Sequence, residues 1–254
     1  MSQTSSELRT LAFGDLARTV WGAAWILGSD APAVATIGGD AIAPVVSSLR
    51  LSVAEDGGEW RLAGDGVTLV AAPAGEIADV RAADDDIAGF DQLCRVTGRF
   101  EQSGTEHAVD CLGLRMSRSG SFDLGKIESI RAVSTWFEPD EGLALTAFRG
   151  RKAKHQDSDV VTATVLGPEP SPPVEDPRLS TTYDAAGWPV RAGLELWLAT
   201  GEGEEEGFPR RAVGQAAGAR AETAAGELDL RAEPFRWHSR GREGAGMYLL
   251  ARRR

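Results

Sequence analysis

The sequence predicts an antiparallel all-β protein, and three observations carry that prediction. Apolar residues recur with period two: Val45 to Val53 reads V-V-S-S-L-R-L-S-V, the alternation that sends successive side chains to opposite faces of a strand. The runs are broken by short turns such as Asp56-Gly57-Gly58 and Gly64-Asp65-Gly66, which supply the positive φ that tight hairpins need. Strand and turn then alternate at a spacing of about ten residues through most of the chain, the habit of sandwiches and barrels.

In chain order, Trp60 to Leu62 and Val67 to Val70 follow the first run as short strands. Phe90 to Glu101 and His107 to Met116 make a longer pair joined by Gln102-Ser103-Gly104-Thr105. Beyond the glycine-punctuated Gly120 to Gly125 come Ile127 to Phe137, the turn Glu138 to Gly142, and Leu143 to Phe148. Val160 to Leu166 is stopped by Gly167-Pro-Glu-Pro-Ser-Pro-Pro173, whose prolines withhold ladder donors. Arg178 to Leu198 reads as a hairpin about Asp184-Ala-Ala-Gly187. An acidic loop with Glu202 to Glu206 follows, then the segment Phe208 to Ala219, and a last pair, Leu228 to His238 with Gly246 to Ala251, completes the chain.

One stretch fits two readings. In Ser6 to Leu27, Leu8, Leu11 and Leu16 precede Val20 as on a helix, but Gly14-Asp15 interrupts, and Trp21, Ala23, Trp25 and Leu27 suit a strand equally. About a dozen strands with a Gly/Ser-rich break at Ser117 to Gly125 suggest two sequential β modules, residues 1–120 and 121–254. A single strongly bent sheet fits the same count.

Composition narrows the function classes. A chain of 254 residues holds one large β domain or two small ones. No run of about 18 apolar residues is present, so no membrane span is expected. The opening MSQTSSELRT is polar and does not read as a secretory signal, so the expected location is cytoplasmic. A formal net charge of -11 argues against nucleic acid, which needs a clustered cationic surface. Cys94 and Cys111 lie on the two arms of one predicted hairpin and are expected as buried, reduced thiols.

The hairpin around Asp184 carries Tyr183, Trp188 and Trp197, three of the large rings in a chain with seven tryptophans. Barrel closure removes sheet edges, and a barrel of about eight strands leaves room for one small ligand if its inside is not plugged. Rings with a polar tip suit the wall of such a space. Trp136, Tyr183, Trp188, Trp197 and Trp237 are therefore the candidate ligand-binding residues, each with a plain core role as its alternative.

Three places could carry chemistry. In Lys154-His-Gln-Asp-Ser-Asp159, the side chains of His155, Asp157 and Asp159 would share one face of an extended chain as catalytic or metal-ligating groups. A solvated hairpin tip is the simpler reading, and no metal site is predicted. His238 shares its strand face with Arg236, opposite Phe235 and Trp237, so an inward His238 would serve as general acid or base. Glu195, between Leu194 and Leu196, would have a raised pKa if lumenal and could protonate an alkene or epoxide. Asp184 accompanies it in the adjoining turn, and Asp110 and Glu128, each within a strand, are in the same position. No phosphate loop, nucleophile elbow or His-Glu-x-x-His is present, and no cofactor is expected.

The run Ile127-Glu-Ser-Ile-Arg-Ala-Val-Ser-Thr-Trp-Phe137, with its acidic turn and following apolar strand, resembles the centre of the two-module lipocalin-like proteins related to carotenoid hydratases (AttH-like). The closing Gly244-Ala-Gly-Met-Tyr-Leu-Leu250 is similar to the final strand of that group. The likeness covers roughly the C-terminal half. It implies lipocalin-like barrels acting on hydrophobic isoprenoid- or polyketide-like molecules as hydratases, cyclases, isomerases or binders. Many members carry Arg-Asp-His-Ser-Trp-Gly before the central strand, whereas this chain has Ser121-Phe-Asp-Leu-Gly-Lys-Ile-Glu-Ser-Ile-Arg131, without His or Trp. Chemistry resting on that His is unsupported, and the resemblance implies a pocket more firmly than a reaction. The partner expected is a small hydrophobic molecule; the rival expectation is a non-catalytic β protein with a filled core.

Overall fold

The computed structural model describes residues 6–17, 19–28, 33–54, 58–82, 87–120, 122–137, 140–153, 159–200 and 208–254. The first sheet comprises β1 (Ser6–Gly14), β2 (Trp21–Leu27), β3 (Ala33–Gly39), β4 (Ile42–Val53), β5 (Trp60–Gly64), β6 (Val67–Pro73), β7 (Ala78–Arg81), β8 (Ile87–Gln102) and β9 (Thr105–Gly120). Their order is β6-β5-β4-β3-β2-β1-β9-β8-β7, and β6 also pairs with β8, so eight strands close into a barrel. Strand β8 is long enough to serve two partners, β7 along Ala88–Asp91 and β6 along Cys94–Phe100. Closure needs Gly98: it has φ +144°, and a Cβ there would lie 2.0 Å from the Thr68 carbonyl oxygen.

A short 3-10 turn, Leu124–Lys126, leads to the second sheet and is capped by Asp123, whose carboxylate accepts from Gly125 N at 2.8 Å. That sheet comprises β10 (Ile127–Phe137), β11 (Glu141–Gly150), β12 (Val160–Leu166), β13 (Val174–Tyr183), β14 (Pro189–Leu198), β15 (Arg210–Ala216), β16 (Ala221–Ala225), β17 (Leu228–Ser239) and β18 (Arg242–Arg253). The order is β12-β11-β10-β18-β17-β15-β14-β13, with β16 alongside β17. This barrel is nearly closed: β12 and β13 lie side by side without a ladder. The connection carries Pro168, Pro170, Pro172 and Pro173, residues without an N–H to donate. Among the described residues, no helix is long and apolar enough to cross a membrane.

Period-two alternation sorts the side chains into three apolar layers. The first lumen holds Leu11, Phe13, Ile37, Trp60, Leu62, Val96 and Phe100. Arg115 is buried among them, 5.4 Å over Trp60 and 5.8 Å over Phe90, with Nε donating to Gln92 at 2.9 Å. The second lumen holds Val133, Phe137, Leu145, Leu194, Leu196, Phe235, Trp237 and Tyr248. Between the barrels, Trp21, Trp25, Leu114 and Met116 meet Ile130, Trp136, Phe148, Leu230 and Leu249.

The seam explains the stretch that fitted two readings. Ser6 to Leu27 forms two strands around a turn in which the Asp15 carboxylate accepts from Thr19 N at 2.8 Å and from the Thr19 hydroxyl. Residues Trp21–Ile26 are buried without a break, because one face lines the first lumen and the other packs against the second barrel. A strand covered on both sides loses its alternation.

Cys94 and Cys111 face the first lumen as free thiols, with Cys111 opposite Val96. Burial pushes both up to about 12, which keeps them protonated and unreactive at neutral pH.

Candidate functional site

Two of the cavities among the described residues bear on ligand binding. The more apolar opens at the seam, with a volume of about 470 Å³. Trp25 and Leu27 of β2 and Val34 of β3 form one wall; Leu124, Ala225 and Leu228 form the other. Each residue is there because the outer faces of β2 and β3 meet the 3-10 turn and the β16–β17 turn. Arg253 stands at its edge but is fully engaged. Its Nε donates to Ile127 O at 3.1 Å, its Nη2 to Leu124 O at 3.0 Å, and its Nη1 pairs with Glu227. Apart from Arg253, Glu227 and the backbone of Gly125 and Gly226, the lining is apolar.

The other cavity, about 370 Å³, is the mouth of the second barrel, lined by Arg131, Arg149, Arg252, Tyr183, Gly187 and Leu250, with Glu128 and Ser129 at its side. Arg131 and Arg149 share one buried carboxylate, Asp159, with Arg149 Nε at 3.1 Å. The Tyr183 hydroxyl lies 3.3 Å from that of Tyr248, which lies 2.9 Å from the Thr181 hydroxyl. Burial, reinforced by Tyr183, pushes the Tyr248 phenol up, so it stays a neutral hydrogen-bond donor.

Across this end lies the turn from Asp184 to Trp188. Asp184 accepts from Ala186 N and Trp188 N, both at 2.9 Å, and from Arg220 Nη1 at 2.9 Å. The hydrogen bond from Arg220, then that from Trp188 N, holds its carboxyl below the usual range. Gly187 takes φ +77°, and a Cβ there would meet Arg231 Nη1 at 3.3 Å. Arg231 donates to the Ala186 and Gly187 carbonyls at 3.1 and 2.9 Å. Arg220 and Arg231 each place a guanidinium 4.9 Å from the Trp188 ring.

Beside that turn, on β17, lies Glu233, whose side chain is 2% exposed. It pairs across the ladder with Tyr248 and lies one register step further in than Arg231 and Leu250. Its Oε2 makes no hydrogen bond among the described residues; Arg220 Nε is 3.6 Å away. Burial pushes Glu233 up to about 7 against the opposing pull of Arg220, and Asp184 adds to the rise.

The residues singled out from sequence are dispersed. Tyr183 lines the mouth of the second barrel, Trp188 lies in the neighbouring turn beside Arg220 and Arg231, and Trp237 lies in the lumen, 5.6 Å from Phe235 and out of water. Trp136 is in the seam, with Nε1 donating to Gly14 O at 3.1 Å. His238 points outward beside Gln215 and Arg236, because Phe235 and Trp237 take the inner face; its Nδ1 is 3.9 Å from Glu243. Glu195 and Trp197 also lie on the outer face, since Leu194 and Leu196 point in. Glu195 accepts from Trp197 Nε1 at 3.0 Å and from Arg211 Nε at 3.2 Å. The Arg211 hydrogen bond leads in holding its carboxyl below the usual range, the reverse of a lumenal acid. His155 and Asp157 lie outside the described residues. Glu233 was missed, although it shares the β17 face of Phe235 and Trp237 and was legible by the same alternation.

No protein-family model and no curated protein matches the chain. Solved structures do. CghA with Sch210972 aligns at a TM-score of 0.66 and 12% identity, covering 99% of this chain and 89% of that one. Kievitone hydratase from Nectria haematococca aligns at 0.58 and 11% identity, covering 97% and 87%. A putative AttH from Nitrosomonas europaea aligns at 0.55 and 10% identity, covering 97% and 91%. The chain has their two-module lipocalin-like fold. The segments that carried the lipocalin-like resemblance, Ile127–Phe137 and Gly244–Leu250, belong to β10 and β18, which pair with each other along the seam.

Proposed function

We propose that this protein binds a small hydrophobic molecule, isoprenoid- or polyketide-like, in the cleft between its two barrels. The observation that carries the reading is the apolar wall shared by both modules, Trp25, Leu27 and Val34 against Leu124, Ala225 and Leu228, around about 470 Å³. Ligand sites usually need about 300 Å³ or more and are mostly apolar with few polar groups. CghA, of the same fold, has been solved with the small molecule Sch210972, which supports a ligand role for this one. The kievitone hydratase likeness adds hydration as a reaction to test, and the resemblance stated from the sequence adds cyclisation or isomerisation. Two unpaired thiols fit a cytoplasmic setting.

Thermal shift and native mass spectrometry with farnesol, geranylgeraniol and linear polyketide-like lactones test the reading. Ligand at about 100 times Kd stabilises by about 2.7 kcal/mol, a rise of several degrees in Tm for a chain of this length. Val34→Trp fills the cleft and should remove that rise while leaving the unliganded Tm within about 2 °C. Bare-chain mass and an unmoved Tm across the panel would count against a hydrophobic ligand here.

A further inference from the structure

The mouth of the second barrel is cationic where the seam cleft is apolar, and strand register explains how it is built. Arg149 of β11 and Arg252 of β18 both pair with Ser129 of β10, one from each side. Neighbouring strands lie about 4.8 Å apart, so the two arginines flank one small residue. Alternation puts Ser129 and Arg131 on the lumenal face of Val133, with Arg131 one step further in and opposite Leu250. Ser129 is too short to fill the space between the guanidiniums. The cavity of about 370 Å³ opens there, with Leu250, Tyr183 and Gly187 completing its wall.

The fold leaves positive charge at this mouth. Asp159, 1% exposed and outside the lining, engages Arg131 and takes Arg149 through Nε at 3.1 Å, so the Nη atoms of Arg149 carry no hydrogen bond among the described residues. Arg252 makes neither a hydrogen bond nor an ion pair among them. Asp229, its partner across the ladder, is taken by Arg254 at 3.0 Å. Arg231, on the next strand, is occupied by Glu222 at 3.3 Å and by the turn carbonyls. Three lining guanidiniums therefore meet two carboxylates, Asp159 and Glu128. That is an excess of one positive charge among the described residues, in a chain whose formal net charge is -11. Charge drawn out of water is costly until a counter-charge joins it.

We propose that this mouth is a second binding site, which takes the carboxylate of a small organic acid between Arg252 and Arg149, with Tyr183 as a hydroxyl donor. A guanidinium fork meets both oxygens of a carboxylate in parallel. One excess charge matches a carboxylate, whereas a phosphate monoester would bring two. The cavity exceeds the roughly 300 Å³ of a usual ligand site, so the body of the acid fits beside the carboxylate, against Leu250 and the Tyr183 ring. Gly187 keeps the turn clear of the mouth: a Cβ there would stand 3.9 Å from Arg252 Nη1. No bond is made or broken. The lining shares no residue with the seam cleft, and the site does not depend on the seam reading.

The test is isothermal titration calorimetry of the full-length protein with trans-cinnamate at pH 7, beside trans-cinnamamide, which has the same shape without the charge. Cinnamate is expected to bind with a Kd of about 1 mM or tighter, and the amide about tenfold more weakly or worse. Arg252→Gln, which breaks no ion pair among the described residues, should weaken cinnamate about tenfold, and Arg252→Lys should keep part of the affinity. Tyr183→Phe should weaken it about threefold. Arg191→Gln removes the same charge from the outer face of the barrel and should leave the affinity unchanged. No heat of binding up to about 10 mM cinnamate, equal binding of acid and amide, or a folded Arg252→Gln that binds as the parent does overturns the proposal. Tighter binding of phenyl phosphate than of cinnamate overturns the carboxylate assignment. Loss of cinnamate binding in Val34→Trp places the acid in the seam and overturns the site.

Discussion

Arg118 donates from Nη2 to Asp91 Oδ2 at 2.9 Å, and neither side chain is more than 1% exposed. The pair joins β8 and β9 of the first barrel to β12 of the second. Arg118 Nε donates to the Thr162 hydroxyl at 2.9 Å, and the Thr164 hydroxyl donates to Asp91 at 2.8 Å. The lipocalin-like modules are therefore fastened by a buried, paired polar cluster inside an apolar seam.

Removing one member should be far worse than removing both charges. Asp91→Ala leaves Arg118 charged in a dry site and should cost about 3–5 kcal/mol. Asp91→Leu with Arg118→Met should cost markedly less. Urea unfolding of the three variants measures this, and equal losses in single and double variants would contradict it.

Gly98 should not tolerate a side chain. Its missing Cβ would sit 2.0 Å from Thr68 O on the strand that closes the first barrel. Gly98→Ala should lower stability by more than about 2 kcal/mol, with faster amide exchange concentrated in β6 and β8.

The two thiols should be silent. With both pushed up to about 12 by burial, native protein at pH 8 should react with a thiol reagent only on the timescale of unfolding. Both sites should label at once in denaturant. Rapid modification of either under native conditions would contradict their burial.

Glu233 should mark the pH dependence of stability. Its folded pKa of about 7 lies above the ordinary value of 4.5, so between those values the folded state binds more protons than the unfolded one. Stability from this group is fully present below about pH 4.5 and is lost as pH rises through 7, by at most about 3 kcal/mol. Glu233→Gln should lack that loss and be the more stable protein at pH 8. Denaturant midpoints at pH 5 and pH 8 give the comparison.

How much was legible in the sequence follows from what alternation encodes. Val45 to Val53, the Phe90–Met116 pair and the hairpin around Asp184 were readable because strand period and turn chemistry are local. The seam strands were harder: Trp21 to Ile26 is covered on both faces, so its pattern blurs. The sites were less legible still. Alternation divides β14 into Glu195 with Trp197 against Leu194 with Leu196, and β17 into His238 against Phe235 and Trp237, without naming which set is inside.

The sequence by itself determined that this chain is antiparallel β, cut by a glycine-rich break, since those properties are set within a few residues of one another. Tertiary structure alone decided the rest. Closing β6 onto β8 and packing β1, β2 and β9 against β10 and β18 fixed which faces became lumen, seam or surface. In the second barrel, pairing β17 with β18 and bringing Arg220 over it put Glu233 out of water, while pairing β14 with β13 and β15 left Glu195 among arginines. Burial and charge neighbours, which set a carboxyl's chemistry, come from strands far apart in the chain.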